Sequence, residues 1–92
     1  MSRAIEHNTE AQRFQYTEEG MLSVLDYTLR GGIMAITHTG VPEAVGGRGI
    51  AADLVQAALD TARENGWMVR PLCSYAAAYI RRHPEQQDLL AS

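Results

Sequence analysis

Gly46, Gly47 and Gly49 fall within four positions, between a segment that reads as a strand and one that reads as a helix. No other stretch restricts the fold as much. Glycine loses more backbone entropy on folding than any other residue, so such clustering serves a tight turn or a close approach of the main chain. The helix after the loop starts near Ile50 with no Ser, Thr, Asp or Asn ahead of it. Its first N–H groups therefore lack a capping side chain. Free donors at the positive end of a helix dipole suit an anion. A plain Gly-rich turn with water on those donors has the same pattern.

The chain before this loop reads as strands. Residues 4–7 form a short edge strand and residues 8–10 a turn. Residues 13–17 alternate, with Phe14 and Tyr16 on one side. Glu18-Glu19-Gly20 closes a hairpin into a longer strand over 21–30, with Met21, Ser23, Leu25, Tyr27 and Leu29 sharing a face. Gly31-Gly32 suits a two-residue turn, because both positions of that turn need φ > 0. The next strand, 33–39, is apolar on both faces until Thr37 and is expected to be central. Gly40 and Pro42 end it. Met21, Met34 and Met68 read as core residues.

After the loop the period changes. Ala51, Leu54, Val55, Ala58 and Ala62 share one face of a helix, with Asp53, Gln56, Asp60 and Arg63 opposite. Asn65-Gly66 stops it. Residues 67–72 form a short strand, and Ser74 caps a last helix that runs to Arg82, before Pro84. Residues 85–92 read as a loosely held tail. A strand–loop–helix–strand unit makes the strands at 33–39 and 67–72 parallel. The expected fold class is α+β: one domain over 1–92, a mixed, mostly antiparallel sheet with helices packed on it.

Ninety-two residues suit one domain with a modest core. A net charge of −3 argues against a general nucleic-acid binder. The chain has no apolar run long enough for a membrane span and no signal-like start. Its one cysteine forms no internal disulfide. The expectation is a cytoplasmic protein with no membrane or nucleic-acid partner and no metal.

Three phosphate-binding patterns compete for the loop. A P-loop needs Gly, four residues, then Gly-Lys and Ser or Thr, and no such string exists. Gly47, Gly49 and Ala52 fit a dinucleotide fingerprint, but residues 67–73 lack the acidic group that holds the ribose. The third pattern fits best. Gly46 to Ala51 resembles the pyrophosphate loop of the Gcn5-related N-acetyltransferases (GNAT), Gln/Arg-x-x-Gly-x-Gly/Ala. Gly49 and Ala51 match its last two fixed positions. Gly46 stands where Gln or Arg is usual, and Arg48 partly replaces that charge.

The likeness continues through His38-Thr39-Gly40-Val41-Pro42, Gly47-Arg48-Gly49-Ile50-Ala51, Pro71-Leu72-Cys73-Ser74-Tyr75 and Tyr79-Ile80-Arg81-Arg82-His83-Pro84-Glu85. Together these are similar to the small YjdJ-type branch of that superfamily, whose members are minimal acetyltransferase-like domains of about this length. Gly40 departs from it, since relatives often carry a larger residue there.

The resemblance implies a minimal GNAT fold that binds acetyl-CoA and transfers acetyl to an amine acceptor, small molecule or protein. The alternative is a CoA-binding or acyl-sensing module with little catalysis; a further one is an interaction domain that has lost the ligand. The diphosphate is expected on the amides of Gly47, Arg48, Gly49, Ile50 and Ala51, in the loop opened by Gly46. The pantetheine arm is expected where the parallel strands splay, paired with backbone near Val41. Three residues are candidates for the chemistry. Tyr79 matches a tyrosine that donates to the CoA sulfur in larger relatives, although a packed aromatic reads equally well; Tyr75 is the alternative. His38 ends its strand beside the proposed pocket, and histidine titrates near neutrality. Cys73 follows a parallel strand at its ligand-bearing edge and precedes a helix, where thiols gain reactivity. Small relatives carry a cysteine at this step. It takes the acetyl group, lines the thioester pocket, or is inert. Arg81, Arg82 and His83 suit the helix dipole or the CoA 3′-phosphate.

Overall fold

The computed structural model describes residues 3–92. Its strands are β1 (Glu6–Asn8), β2 (Arg13–Glu18), β3 (Met21–Arg30), β4 (Ile33–Gly40) and β5 (Met68–Pro71). Its helices are α1 (Ile50–Asn65) and α2 (Ser74–Arg82), with short 3-10 turns at Glu43–Val45 and Pro84–Leu89. The five strands form one sheet in sequence order, antiparallel up to β4 and parallel between β4 and β5. The α+β reading and the parallel crossover therefore hold. Gly31 and Gly32 take φ of 55° and 77°, the conformation that matches the right-handed twist of the flanking strands. The first strand begins two residues later than the sequence suggests. Its turn is closed by Asn8, whose Oδ1 accepts the Ala11 N–H at 3.0 Å.

Both helices cover the same face of the sheet. Phe14, Leu25, Tyr27, Met34, Ile36 and Val69 point into one buried cluster with Leu54, Val55, Ala58 and Leu59 of α1 and Ala76 and Ile80 of α2. Alternate strand positions face outward, so Arg13, Val24, Asp26, Ile33 and Ala35 are only half-buried. Among the described residues the outer face carries no helix. This corrects the expectation for β4, which has neighbours on both edges but cover on one face only. It also corrects the methionines: Met34 is fully buried, whereas Met21 and Met68 are exposed at the sheet margins. On α1, Ile50 and Leu59 are buried and Ala51 only half-buried, so the helix is rotated slightly from the face expected. Among the described residues no helix is long and apolar enough to cross a membrane.

Two irregularities shape the end of the sheet nearest the glycine loop. Asp26 pairs with His38 and Tyr27 with Ile36, so Thr37 is an extra residue on β4. This β-bulge reverses the alternation beyond it. Thr39, opposite buried Leu25, faces the helices, and His38, opposite Asp26, faces outward. The second irregularity is the end of the parallel ladder. The last pair is Ile36 with Pro71, after which the Leu72 and Cys73 N–H groups both donate to the Ile36 carbonyl, at 2.9 and 3.1 Å. β5 then turns away, and β4 runs on through residues 37–40 without a partner on that side.

The C-terminal residues are docked rather than loose. Leu89 is 5% exposed and Leu90 bridges Val69 in parallel. The Ala91 N–H reaches the Val69 carbonyl at 2.8 Å, covering the free edge of β5. Arg63 holds the Asp88 carboxylate at 2.8 and 3.0 Å and Gln86 at 3.3 Å. A short apolar run, Leu89 to Ala91, after polar residues leaves no periodic signal, which is why the sequence reads as a tail. Burial should dominate this docking. Leu89→Ala is expected to lose about 2 to 5 kcal/mol in urea unfolding. Arg63→Ala should lose less, because its ion pair is solvent-exposed and screened. The reverse order would make the ion pair the anchor.

Candidate functional site

The loop is built in two steps. Pro42 starts a 3-10 turn over Glu43–Val45, whose Val45 side chain is buried in the core. The Gly46 N–H closes this turn on the Glu43 carbonyl at 3.0 Å. Gly47 and Gly49 then take φ of 75° and 86°, and Gly49 stands at the N-cap of α1 with no side-chain cap. The first helical bond runs from the Asp53 N–H to the Gly49 carbonyl at 3.1 Å. Among the described residues, the N–H groups of Gly47, Arg48, Gly49, Ile50 and Ala51 have no protein acceptor. A cavity of about 230 Å³ lies here, lined by Val41, Gly46, Gly47, Gly49, Ile50, Ala51 and Tyr75. Loop residues singled out from the sequence thus surround one space, with Arg48 as the exception.

Arg48 points away. Its guanidinium donates to Glu18 at 2.8 Å and Glu19 at 2.5 Å, on the turn between β2 and β3. Those hydrogen bonds raise the Arg48 pKa, and the bond from Arg48 holds the Glu18 carboxyl below its usual range. Arg48 is therefore compensated, and does not offer the free charge expected of it.

A larger cavity of about 430 Å³ runs along the crease between α1 and α2, lined by Ala52, Tyr75, Ala78, Tyr79, Arg82 and His83. Tyr75 lines both spaces, so the crease and the loop cavity are neighbours across its side chain. The Tyr79 hydroxyl donates to Gln56 Oε1 at 2.5 Å, and its ring stacks on His83 at 4.0 Å. Burial raises the pKa of both tyrosines. The basic trio divides: Arg82 and His83 face the crease, whereas Arg81 lines a separate hollow with Pro71, Ile80 and Leu90.

At the splay, Cys73 rather than Ser74 caps α2. Its Sγ accepts the Ala76 N–H at 3.3 Å and lies 3.3 Å from Thr39 Oγ1. A sulfur fills this role because the extended backbone of residue 73 aims its side chain back at the first turn. The structure brings Cys73 together with Thr39 and keeps both apart from the Tyr79 hydroxyl, which is bound to α1. Tyr79 is six residues on, a rise of about 9 Å along the helix. His38 is exposed on the outer face, its ring folded over Gly40. A Cβ at Gly40 would stand 2.9 Å from His38 Nε2, a contact that the exposed imidazole relieves by swinging into solvent. Sequence reasoning misses Thr39, since without the bulge its side chain would face outward. It misses Arg3 as well, which is remote from the loop in sequence; the Arg3 guanidinium binds the Arg48 carbonyl.

Residues 13–89, from β2 through the docked C-terminal turn, match the family model described as GCN5-related N-acetyl-transferase. Protein NATD1 of Mus musculus is 35% identical over 88 residues, covering 92% of this chain and 80% of the relative. Protein NATD1 of Homo sapiens is 35% identical over 88 residues, covering 92% and 78%. The solution structure of a GCN5-like protein from Staphylococcus aureus has the same fold, with a TM-score of 0.74 at 26% identity over 96% of this chain and 87% of that one. Glycine loop, parallel crossover and two-helix cover are thus features of a known group: the chain belongs to the GCN5-related N-acetyltransferase family.

Proposed function

We propose that this protein is an acetyl-CoA-dependent N-acetyltransferase acting on an amine. The observation that carries the reading is a set of unpaired loop amides at an uncapped helix start, beside a parallel pair that splays open. A diphosphate fits these donors, because the dipole of α1 adds to them and no carboxylate lines the cavity. Gly47, Arg48, Gly49, Ile50 and Ala51 would hold the diphosphate through their amides. Val41 and the free edge of β4 would hold the pantetheine amides. Arg82 and His83 in the crease would meet the nucleotide phosphate.

Acetyl-CoA supplies an activated thioester. Cys73 stands at the splay with two hydrogen-bonding groups on its sulfur. In the covalent route Sγ bonds the acetyl carbon as the bond to the CoA sulfur breaks, and the thiol proton passes to that sulfur. The amine then takes the acetyl from Sγ, which regains its proton. In the direct route the amine attacks without Cys73, and Tyr79 protonates the departing sulfur. That role requires its hydroxyl to release Gln56. The covalent route needs no such rearrangement, and we favour it. In the direct route His38, exposed on the outer face, would take the proton of an amine approaching from that side. The open outer face favours the alternative of a CoA-binding or acyl-sensing module, since no element encloses an acceptor there; turnover with an amine panel separates the two.

Two variants test the reading. Ala51→Glu puts a carboxylate into the loop cavity at a first-turn position where the helix tolerates it. Calorimetry should show CoA binding weakened by at least about tenfold, roughly 1.4 kcal/mol, with the melting temperature retained. Unchanged affinity would remove the diphosphate from this cavity. Cys73→Ser keeps a capping acceptor at the start of α2. The wild type incubated with acetyl-CoA should gain one acetyl by intact mass, and the serine variant none, while both bind CoA equally. A wild type without adduct and a fully active variant would leave only the direct route.

A further inference from the structure

Arg3 reaches the loop from the other end of the sequence. Its Nη2 donates to the Arg48 carbonyl at 2.6 Å, and its Nη1 donates to the Asp53 carboxylate at 2.5 Å in the first turn of α1. Nε lies 3.8 Å from Glu18, and the guanidinium sits 5.7 Å from the centre of the Tyr16 ring. The Arg3 guanidinium is charged throughout the physiological range, and hydrogen bonding to Asp53 favours that form further. One planar fork therefore ties the loop backbone to the helix it introduces.

Peptide planarity gives this contact a consequence. In a trans peptide the carbonyl and the next N–H point in opposite directions. Holding the Arg48 oxygen on Arg3 turns the Gly49 N–H to the opposite side. Gly47 and Gly49 line the 230 Å³ cavity while Arg48 between them does not. The Arg48 side chain is drawn to Glu18 and Glu19 as well, so both its polar groups are occupied away from the cavity. Charge points the same way. Glu18, Glu19 and Asp53 are compensated here by Arg3 and Arg48, which leaves one negative charge in excess. Without Arg3 the excess would be two, beside a site for a dianionic group.

We propose that Arg3 is a positioning residue of the anion loop: it fixes the Arg48–Gly49 peptide with its N–H toward the cavity and neutralises Asp53 beside it. This rests on the reading of the cavity as a diphosphate site. The test uses the full chain, with calorimetric titration of CoA and of pantetheine, which lacks the diphosphate, and amide spectra of the free protein. Arg3→Ala should weaken CoA about tenfold, the scale of one hydrogen bond to a charged group, leave pantetheine unchanged and move the Gly49 amide resonance. Arg3→Lys should stay at least about threefold weaker than wild type, because an ammonium lacks the fork that spans both oxygens. Full rescue by lysine would overturn positioning in favour of bare charge. Equal losses for both ligands, or an alanine variant binding CoA as wild type does, would overturn the inference and leave the diphosphate reading standing. A wild type that binds no CoA would overturn both.

Discussion

The carbonyl oxygen of Ile36 accepts two N–H groups, from Leu72 and Cys73, and the site depends on that double acceptance. Neither amide is left unpaired as β5 leaves the sheet, which makes the departure possible. Because β5 leaves there, Cys73 falls at the start of α2 with its sulfur over the gap. Because β4 does not leave, residues 37–40 carry a free edge beside it. The bulge at Thr37 falls at the same level and turns Thr39 toward Cys73. A parallel pair of four residues thus delivers a thiol, a hydroxyl and an open strand edge to one point.

The loop is organised by charge as well as by glycine. The chain has no lysine; all eight basic residues are arginine. That choice matters because Arg3 and Arg63 each bind oxygens through both terminal nitrogens of the planar fork, a geometry that an ammonium lacks, whereas Arg48 meets Glu18 and Glu19 through Nη1 alone. Their partners Glu18 and Asp88 have depressed pKa values, chiefly through the bonds from Arg48 and Arg63. Depressed carboxyl values mean that these contacts stabilise the fold above the ordinary carboxyl range and are lost as pH falls through the depressed values.

Much of the architecture was legible because it is periodic. Phe14 and Tyr16, then Ser23, Leu25 and Tyr27, show the two-residue repeat of strands covered on one face, and they are on the helix side as expected. Leu54, Val55, Ala58 and Ala62 show the helical repeat, and Gly66 ends it in the left-handed conformation. The glycine loop was legible because φ > 0 at Gly47 and Gly49 demands a particular residue. Features held by single contacts were not. Leu89 supplies the buried apolar contact of the C-terminal turn, Cys73 takes a cap position that by residue type suits Ser74 better, and Met21 and Met68 lie at margins where no helix reaches.

The sequence by itself determined the element order, the faces of β2 and β3, the parallel crossover and the uncapped start of α1, since each arises from local periodicity or backbone demand. The tertiary structure alone decided which residues meet. The bulge at Thr37 exists only in the pairing of β4 with β3, and it sends His38 outward and Thr39 inward, against the alternation the sequence displays. The splay depends on where β5 stops beside Ile36. The hold of Arg3 on the Arg48 carbonyl joins residues 45 positions apart. Such contacts are set by the register of paired strands and by side chains reaching across the fold, and no window of neighbouring residues encodes them.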